Sequence, residues 1–281
     1  MTTYVFPGQG SQKVGMGGEL FAAFPDLVSA ADAILGYSVA DLCASDDGRL
    51  NQTHYTQPAL YVVNALSYLQ KLQADDIKPH YVAGHSLGEY NALLAADVFD
   101  FATGLKLVHK RGELMNQARD GGMAAVIGLQ DKQMQHVFHE NNLSLLSVAN
   151  YNTYKQLVIT GPKNAIAQAA PIFPKIDGVR YMPLRVSGAF HSPLMADAQQ
   201  SFAAFVAQFD FKAPKIPVIA NVTAQPYPDN DIAKLLTAQI THSVKWVNSI
   251  EYLLAQGETE FAEIGPGRVL TGLLRKIRNK Q

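Results

Sequence analysis

Ser86 stands inside Gly84-His85-Ser86-Leu87-Gly88, a G-x-S-x-G pattern. A serine in this pattern is a candidate nucleophile for acyl transfer. The pattern is short enough to recur by chance, so its surroundings decide its meaning. Tyr81, Val82 and Ala83 read as the end of a buried strand, and Asn91 to Ala96 as the start of a helix. Strand, sharp turn and helix in that order make a nucleophile elbow. The turn strains the serine backbone, and the flanking glycines let strand and helix pack without a side-chain clash. The helix N-terminus then favours negative charge developing beside Ser86.

A serine at its free pKa needs a base, and the chain has eight histidines. His136 and His139 fall on a polar helix, His109 on a charged helix face, His54 in a polar turn and His80 at a strand entrance. His85 adjoins the serine and is splayed to the other side of the strand. His191 and His242 remain. His191 lies in a loop of small residues where the chain returns to its main domain, and such loops commonly wall a cleft. His242 lies nearer the C-terminus, where a hydrolase histidine falls. The chemistry favours His191 without excluding His242. No carboxylate stands out to orient the base, Asp97, Asp100, Asp120 and Asp177 being equally plain candidates. A carbonyl can orient the ring instead, because the requirement is geometric.

Arg111 sits among Leu105, Val108, Leu114 and Met115 on one helix. Burying a guanidinium there is costly unless it is paired. Either it forms an ion pair with Glu113, Asp100 or another carboxylate, or it snorkels to water, or it waits as a fork for a carboxylate on a substrate.

The scaffold for these residues reads as α/β. Tyr4 to Phe6 form a strand ended by Pro7-Gly8-Gln9-Gly10. That loop is either a plain turn or a row of N–H groups facing a cleft at the strand's carboxyl end. It fails the dinucleotide pattern because Lys13 stands where a third glycine is required. A helix opens at Thr56-Gln57-Pro58, and another spans 101 to 118. From 122 to 187 the order is β-α-β-β-α-β, with strands at 144–149 and 156–160 and a turn from Asn150 to Tyr154. This is the split order of a ferredoxin-like unit. The expected architecture is therefore an α/β-hydrolase-like catalytic domain, residues 1–121 and 188–281, carrying an inserted ferredoxin-like subdomain at 122–187.

The bulk composition narrows the choices. The 281 residues are 48% apolar and 17% charged, ordinary for a protein with a sizeable core. A formal net charge of −1 offers no footprint for nucleic acid. The lone cysteine, Cys43, excludes an intramolecular disulfide and a cysteine zinc site. No signal-peptide pattern opens the chain and no membrane-length apolar run occurs, so a cytoplasmic location is expected and a membrane partner is not.

Six stretches fall in the order seen in malonyl-CoA:acyl carrier protein transacylases: Gly8-Gln9-Gly10-Ser11-Gln12, Thr56-Gln57-Pro58-Ala59-Leu60, Gly84 to Tyr90, Arg111-Gly112-Glu113-Leu114-Met115, Gly188-Ala189-Phe190-His191-Ser192 and Gly265 to Gly272. The chain resembles that family from its first strand to its last helix. The resemblance implies that Ser86 carries the malonyl ester, that His191 is the general base and acid, and that the backbone carbonyl of Gln239 orients His191. It further implies that Arg111 pairs with the free malonyl carboxylate and that the N–H groups of Gln9 and Leu87 form the oxyanion hole. Gln57 and Asn150 would line the site. Phe190 would fit malonyl selection, since in relatives a phenylalanine before the catalytic histidine accompanies malonyl rather than methylmalonyl units.

The implied substrate is malonyl-CoA and the implied partner an acyl carrier protein bearing phosphopantetheine. No metal or permanently bound cofactor is implied. The Gly-Ala-Phe-His-Ser loop looks more like free-standing acyltransferases of polyketide synthases than like the fatty-acid enzyme. The same family contains proofreading acyl hydrolases that clear carrier proteins, which is the alternative activity. A non-catalytic alternative is a docking module that uses Arg268, Arg275, Lys276 and Arg278 against an acidic carrier.

Overall fold

Apolar residues alternate across the strands that hold the elbow, and each parity meets its own layer. The computed structural model describes residues 2–75, 77–186 and 188–280. Strands β1 (Thr2–Phe6), β2 (Tyr81–Gly84), β7 (Val218–Ile219) and β8 (Glu260–Glu263) form a parallel sheet in the order β7-β2-β1-β8. Tyr4, Phe6, Val82 and Val218 pack into the main core with Leu60 and Leu93. Val5, Ala83 and Ile219 face the opposite layer with Trp246, Ile250 and Leu270. Both faces are covered, as an all-parallel sheet requires.

Register places the functional loops at one edge. Phe6 is level with Gly84, and Ala83 with Ile219. The Gly8–Gln9 loop, the Ser86 turn and Asn221 therefore all leave the carboxyl ends of neighbouring strands, where open α/β sheets bind ligands.

The second sheet is antiparallel: β3 (Gly121–Ile127), β4 (Ser147–Thr153), β5 (Gln156–Pro162) and β6 (Arg180–Pro183), in the order β4-β5-β3-β6. The chain runs β3, helix Asp131–Glu140, β4, β5, helix Lys163–Ala169, β6. This is the ferredoxin-like arrangement, with Val126, Met134, Phe138, Ile159 and Phe173 in a core of its own. Ser187, the last residue of the expected subdomain, lies outside the described residues.

Several expected boundaries move: the strand expected from residue 144 begins at Ser147, and the one expected at 156–160 runs to Pro162. Asn150 to Thr153 are strand rather than turn. Asparagine favours turns locally, but here β5 pairs one side of the segment and Val244 of the main domain pairs the other. Tyr151 N–H donates to Val244 O (2.9 Å) and Val244 N–H to Ala149 O (2.8 Å). Register shifts along the hairpin turn Asn150 and Asn152 inward. The helix expected from Thr56 begins at Thr53 and runs to Ala74, leaving Pro58 inside it. Thr56 Oγ1 donates back to Leu50 O (2.7 Å) and Gln52 O (3.0 Å), which ties the extra turn down.

The elbow tolerates no Cβ on its glycines. A methyl on Gly84 would lie 1.9 Å from Gly88 C, and one on Gly88 would lie 2.0 Å from Phe6 O. Gly272, inside the helix Val269–Arg278, faces nothing within 4 Å. Gly88→Ala is expected to cost about 3 kcal/mol or more, the upper range for overpacking. Gly272→Ala is expected to add about 0.5–1 kcal/mol from helix propensity. Urea unfolding midpoints of the two variants check both signs.

Candidate active site

Ser86 has φ 51°, a left-handed conformation that a side chain disfavours. Asn221 holds it there. Its Oδ1 accepts from Ser86 N–H (2.7 Å) and its Nδ2 donates to Gly84 O (2.7 Å), so one side chain clamps both arms of the turn. The next residue, Leu87, caps the helix Gly88–Ala95.

His191 reaches Ser86 from the loop after β6. Its Nε2 lies 2.8 Å from Ser86 Oγ and its Nδ1 2.8 Å from the backbone oxygen of Gln239. A carbonyl only accepts, so Nδ1 carries the proton and Nε2 is left free to receive the one on Ser86. His191 is itself left-handed, φ 58°. Two-sided hydrogen bonding over-determines that strain. His242 is exposed, with its ring on Ala238 O. His85 turns away from Ser86 Oγ, its Nε2 2.8 Å from Asn152 Oδ1.

Arg111 projects from the middle of the helix Phe101–Gln117 and is 1% exposed. The ion pairs considered for it do not form: Glu113 pairs with Lys110, and Asp100 caps its own helix at Thr103 N–H. Its NH1 donates to Gln57 Oε1 (2.6 Å). Its NH2 donates to Gln239 Oε1 (2.8 Å) and to Ser86 Oγ (3.0 Å). Tyr90 lies under the guanidinium, 5.7 Å to the ring centre. Ser86 Oγ thus accepts from a buried cation while donating to a histidine, within the capacity of one hydroxyl.

A cavity of about 90 Å³ opens at this oxygen, and Gln9, Gln57, Leu87, Asn150 and Phe190 line it beside Ser86, Arg111 and His191. Met115, Met123, Leu184 and Val186 complete an apolar wall. Gly8 backs onto the elbow so closely that a Cβ there would sit 2.3 Å from His85 O. That approach brings the Gln9 loop against the Ser86 turn. Among the described residues, neither Gln9 N–H nor Leu87 N–H donates to a protein acceptor. The structure therefore gathers every residue expected at the site, with Gln239 just behind the cavity wall. The basic residues of the last helix are elsewhere, and two are engaged: Lys276 donates to Gln156 (2.8 Å) and Arg278 to Thr259 O.

Two residues were missed from sequence. Asn221 is one; a polar side chain at a strand's carboxyl end beside the elbow was its only signal. Glu89 is the other, a carboxylate among the apolar residues of the elbow helix. Its Oε1 accepts from Tyr227 OH (2.6 Å) and Asn221 N–H (3.1 Å), and its Oε2 from Gln239 Nε2.

Burial sets the electrostatics. Desolvation, then the nearby Arg111 charge, pulls His191 down to about 3. Desolvation also lowers Arg111, opposed by Tyr90 and Glu89. Burial pushes Glu89 up to about 7, against the donors from Tyr227, Asn221 and Gln239 and the Arg111 charge. An ordinary histidine loses half its neutral form at about pH 6.5. His191, depressed below that, keeps its neutral, proton-accepting form. Sulfonylation of Ser86 by phenylmethylsulfonyl fluoride, which is uncharged, is therefore expected to stay level from pH 8 to 5.5. A rate that halves near 6.5 would show an unperturbed base.

A serine, a histidine with its proton-accepting nitrogen toward it and, among the described residues, two N–H groups without a protein acceptor surround one cavity on an α/β scaffold, an arrangement suited to covalent acyl transfer. Residues 3–279 match the family described as acyl transferase domain, and the chain belongs to it. It is 54% identical over 282 residues to the polyketide biosynthesis malonyl CoA-acyl carrier protein transacylase BaeC of Bacillus velezensis, covering 100% of this chain and 98% of that protein. The crystal structure of a malonyl CoA-acyl carrier protein transacylase from Burkholderia pseudomallei superposes with a TM-score of 0.98 at 51% identity, covering 100% and 99% of the two chains. The malonyl-transacylase solved in complex with a type II PKS acyl-carrier protein, PlMCAT:AntF, gives 0.93 at 36% identity, covering 99% and 93%. Among the described residues, no helix is long and apolar enough to cross a membrane.

Proposed function

We propose that this protein transfers a malonyl group from malonyl-CoA to the phosphopantetheine thiol of an acyl carrier protein, in polyketide or fatty-acid synthesis, through a malonyl ester on Ser86. One observation carries the reading: a base and a buried cation converge on a single nucleophile, with Ser86 Oγ 2.8 Å from His191 Nε2 and 3.0 Å from Arg111 NH2.

In this reading Ser86 Oγ attacks the thioester carbonyl as His191 Nε2 takes its proton. The tetrahedral oxyanion lies between the N–H groups of Gln9 and Leu87. Two such donors supply several kcal/mol of barrier lowering, at about 3 kcal/mol each. The intermediate collapses, the C–S bond breaks, and the CoA sulfur leaves with the proton from His191. The carrier thiol then gives its proton to His191, attacks the ester, and Ser86 Oγ recovers a proton on leaving. The Gln239 carbonyl keeps the ring in the tautomer both halves need.

Arg111 supplies selection. Three of its N–H groups are engaged, and the one on Ser86 Oγ is released as that oxygen becomes an ester. A malonyl carboxylate can take its place, whereas an acetyl group leaves a buried cation short of a partner. Gln57 fixes the other arm of the fork, and Asn150 and Phe190 shape the space around the acyl chain. We read residues 1–121 and 188–281 as the catalytic domain and 122–187 as an inserted subdomain that walls the site with Asn150. The reading needs no permanently bound cofactor, and coenzyme A thioesters imply a cytoplasmic setting.

A proofreading hydrolase for uncharged acyl chains would gain nothing from this cation. The partition of a preformed malonyl ester separates the two activities. Discharge to a phosphopantetheinylated acyl carrier protein at least a hundredfold faster than discharge to water is expected. Equal rates with and without carrier would mark a hydrolase.

A further inference from the structure

The site holds a buried carboxylate that the acyl-transfer steps do not use. We propose that Glu89 is a positioning residue: it fixes which way the Gln239 side-chain amide points, and through that amide keeps Arg111 set for an acyl group bearing a carboxylate. This rests on the transferase reading above.

An amide side chain has nearly the same shape either way round, so its neighbours choose its orientation. Gln239 is fully buried and meets three polar neighbours. Glu89 Oε2 and Ser86 O, both acceptors, face its Nε2; Arg111 NH2, a donor, faces its Oε1. Turning the amide over would set its oxygen against two acceptors and its NH2 against the guanidinium. Ser86 O alone is a single neutral acceptor. Glu89 adds a charged one, roughly twice as strong.

The second part of the argument concerns charge. Arg111 is buried and, among the described residues, has no carboxylate in direct contact. A buried cation needs a counter-charge. A carboxylate bonded to the fork would supply it and would also occupy the N–H groups that a malonyl carboxylate must reach. Glu89 stands one neutral amide away. It offsets the charge of Arg111 through Gln239 and leaves the Ser86 side of the fork free. The titratable and charged groups around Glu89 are Arg111, Tyr90 and Tyr227, and Asn221 and Gln239 complete its shell.

The two carboxylate oxygens have separate tasks, which makes the idea testable. Oε1 serves Tyr227 and the Asn221 clamp, and Oε2 serves Gln239. Glu89→Gln can keep an oxygen on the Tyr227 and Asn221 side, where the Asn221 N–H demands an acceptor, and put NH2 opposite Gln239. Gln239 then turns its own oxygen to that NH2 and presents a donor to Arg111.

The experiment is a competition between malonyl-CoA and acetyl-CoA, read as the ratio of the two Ser86 adducts by intact mass. Ser86 sulfonylation is measured in parallel, because it reads Ser86 and His191 without a carboxylate. In Glu89→Gln the malonyl-to-acetyl ratio is expected to fall at least tenfold, while sulfonylation falls less than threefold. An unchanged ratio overturns the proposal, and so does an equal loss in both reactions, which marks a purely structural role. A second variant covers the case in which Glu89→Gln does not fold. Tyr227→Phe removes a donor to the carboxylate, which favours its protonated form. Loading is expected to fall on the acid side as Glu89, pushed up to about 7 by burial, takes a proton, and in Tyr227→Phe that limb should move up, with no such shift in sulfonylation. A limb that stays in place overturns the proposal. Wild-type protein that loads neither acyl group contradicts the transferase reading itself.

Discussion

Replacing Ser86 or His191 by alanine is expected to slow the release of CoA from malonyl-CoA by on the order of 10⁶-fold, and replacing both to cost no more than replacing one. The geometry explains the non-additivity. Ser86 Oγ and His191 Nε2 share one proton across 2.8 Å, so each is useless for proton transfer without the other. What survives is attack by water, aided by binding and by the Gln9 and Leu87 N–H groups proposed as the oxyanion hole. His242→Ala is the matched control, since that ring is exposed and bonded to Ala238 O. Its CoA-release rate should stay within about twofold, as surface substitutions usually do little. Single-turnover CoA release, followed with a thiol reagent, gives all four rates. Losses that multiply in the double variant would mean that serine and histidine act separately.

Arg111→Ala is expected to lower malonyl loading by on the order of 10³-fold, the scale of a buried, hydrogen-bonded charge pair that loses one partner. Acetyl loading should hold or rise, because the variant no longer buries an unanswered cation beside the acyl group. Arg111→Lys should recover only part of the loss. An ammonium keeps the charge, but it cannot reach Gln57, Gln239 and the substrate at once as the planar fork does. Competition between the two thioesters reads the preference directly. An equal fall for both would mean that Arg111 supports the elbow rather than choosing the substrate.

Side-chain chemistry at short range was legible in the sequence, and long-range geometry was less so. Ser86 could be read because the elbow is local: strand, turn, two glycines and helix lie within a few residues of it. Arg111 stood out because its helical neighbours are apolar, yet an ion pair and an open fork looked alike until Glu113 and Asp100 were seen to have other partners. Chemistry favours His191 over His242 but does not exclude the second, since the contact with Ser86 spans 105 positions along the chain. The Gln239 carbonyl leaves no trace in residue type, because every residue carries one; only the resemblance pointed to it.

Asn150 was read as turn because its local preference is real, and the pairing with Val244 that overrides it comes from another domain's segment. Glu89 and Asn221 went unread for a related reason. Each serves the site through another residue, Gln239 in one case and the Ser86 backbone in the other.

The most direct test of the account is the intact mass of the protein after brief exposure to malonyl-CoA, followed by location of the adduct in a proteolytic digest. One malonyl group per chain, held on the peptide that contains Ser86 and absent from Ser86→Ala, is the predicted result. Turnover of malonyl-CoA with no adduct on that serine, or an adduct that persists in Ser86→Ala, would contradict it.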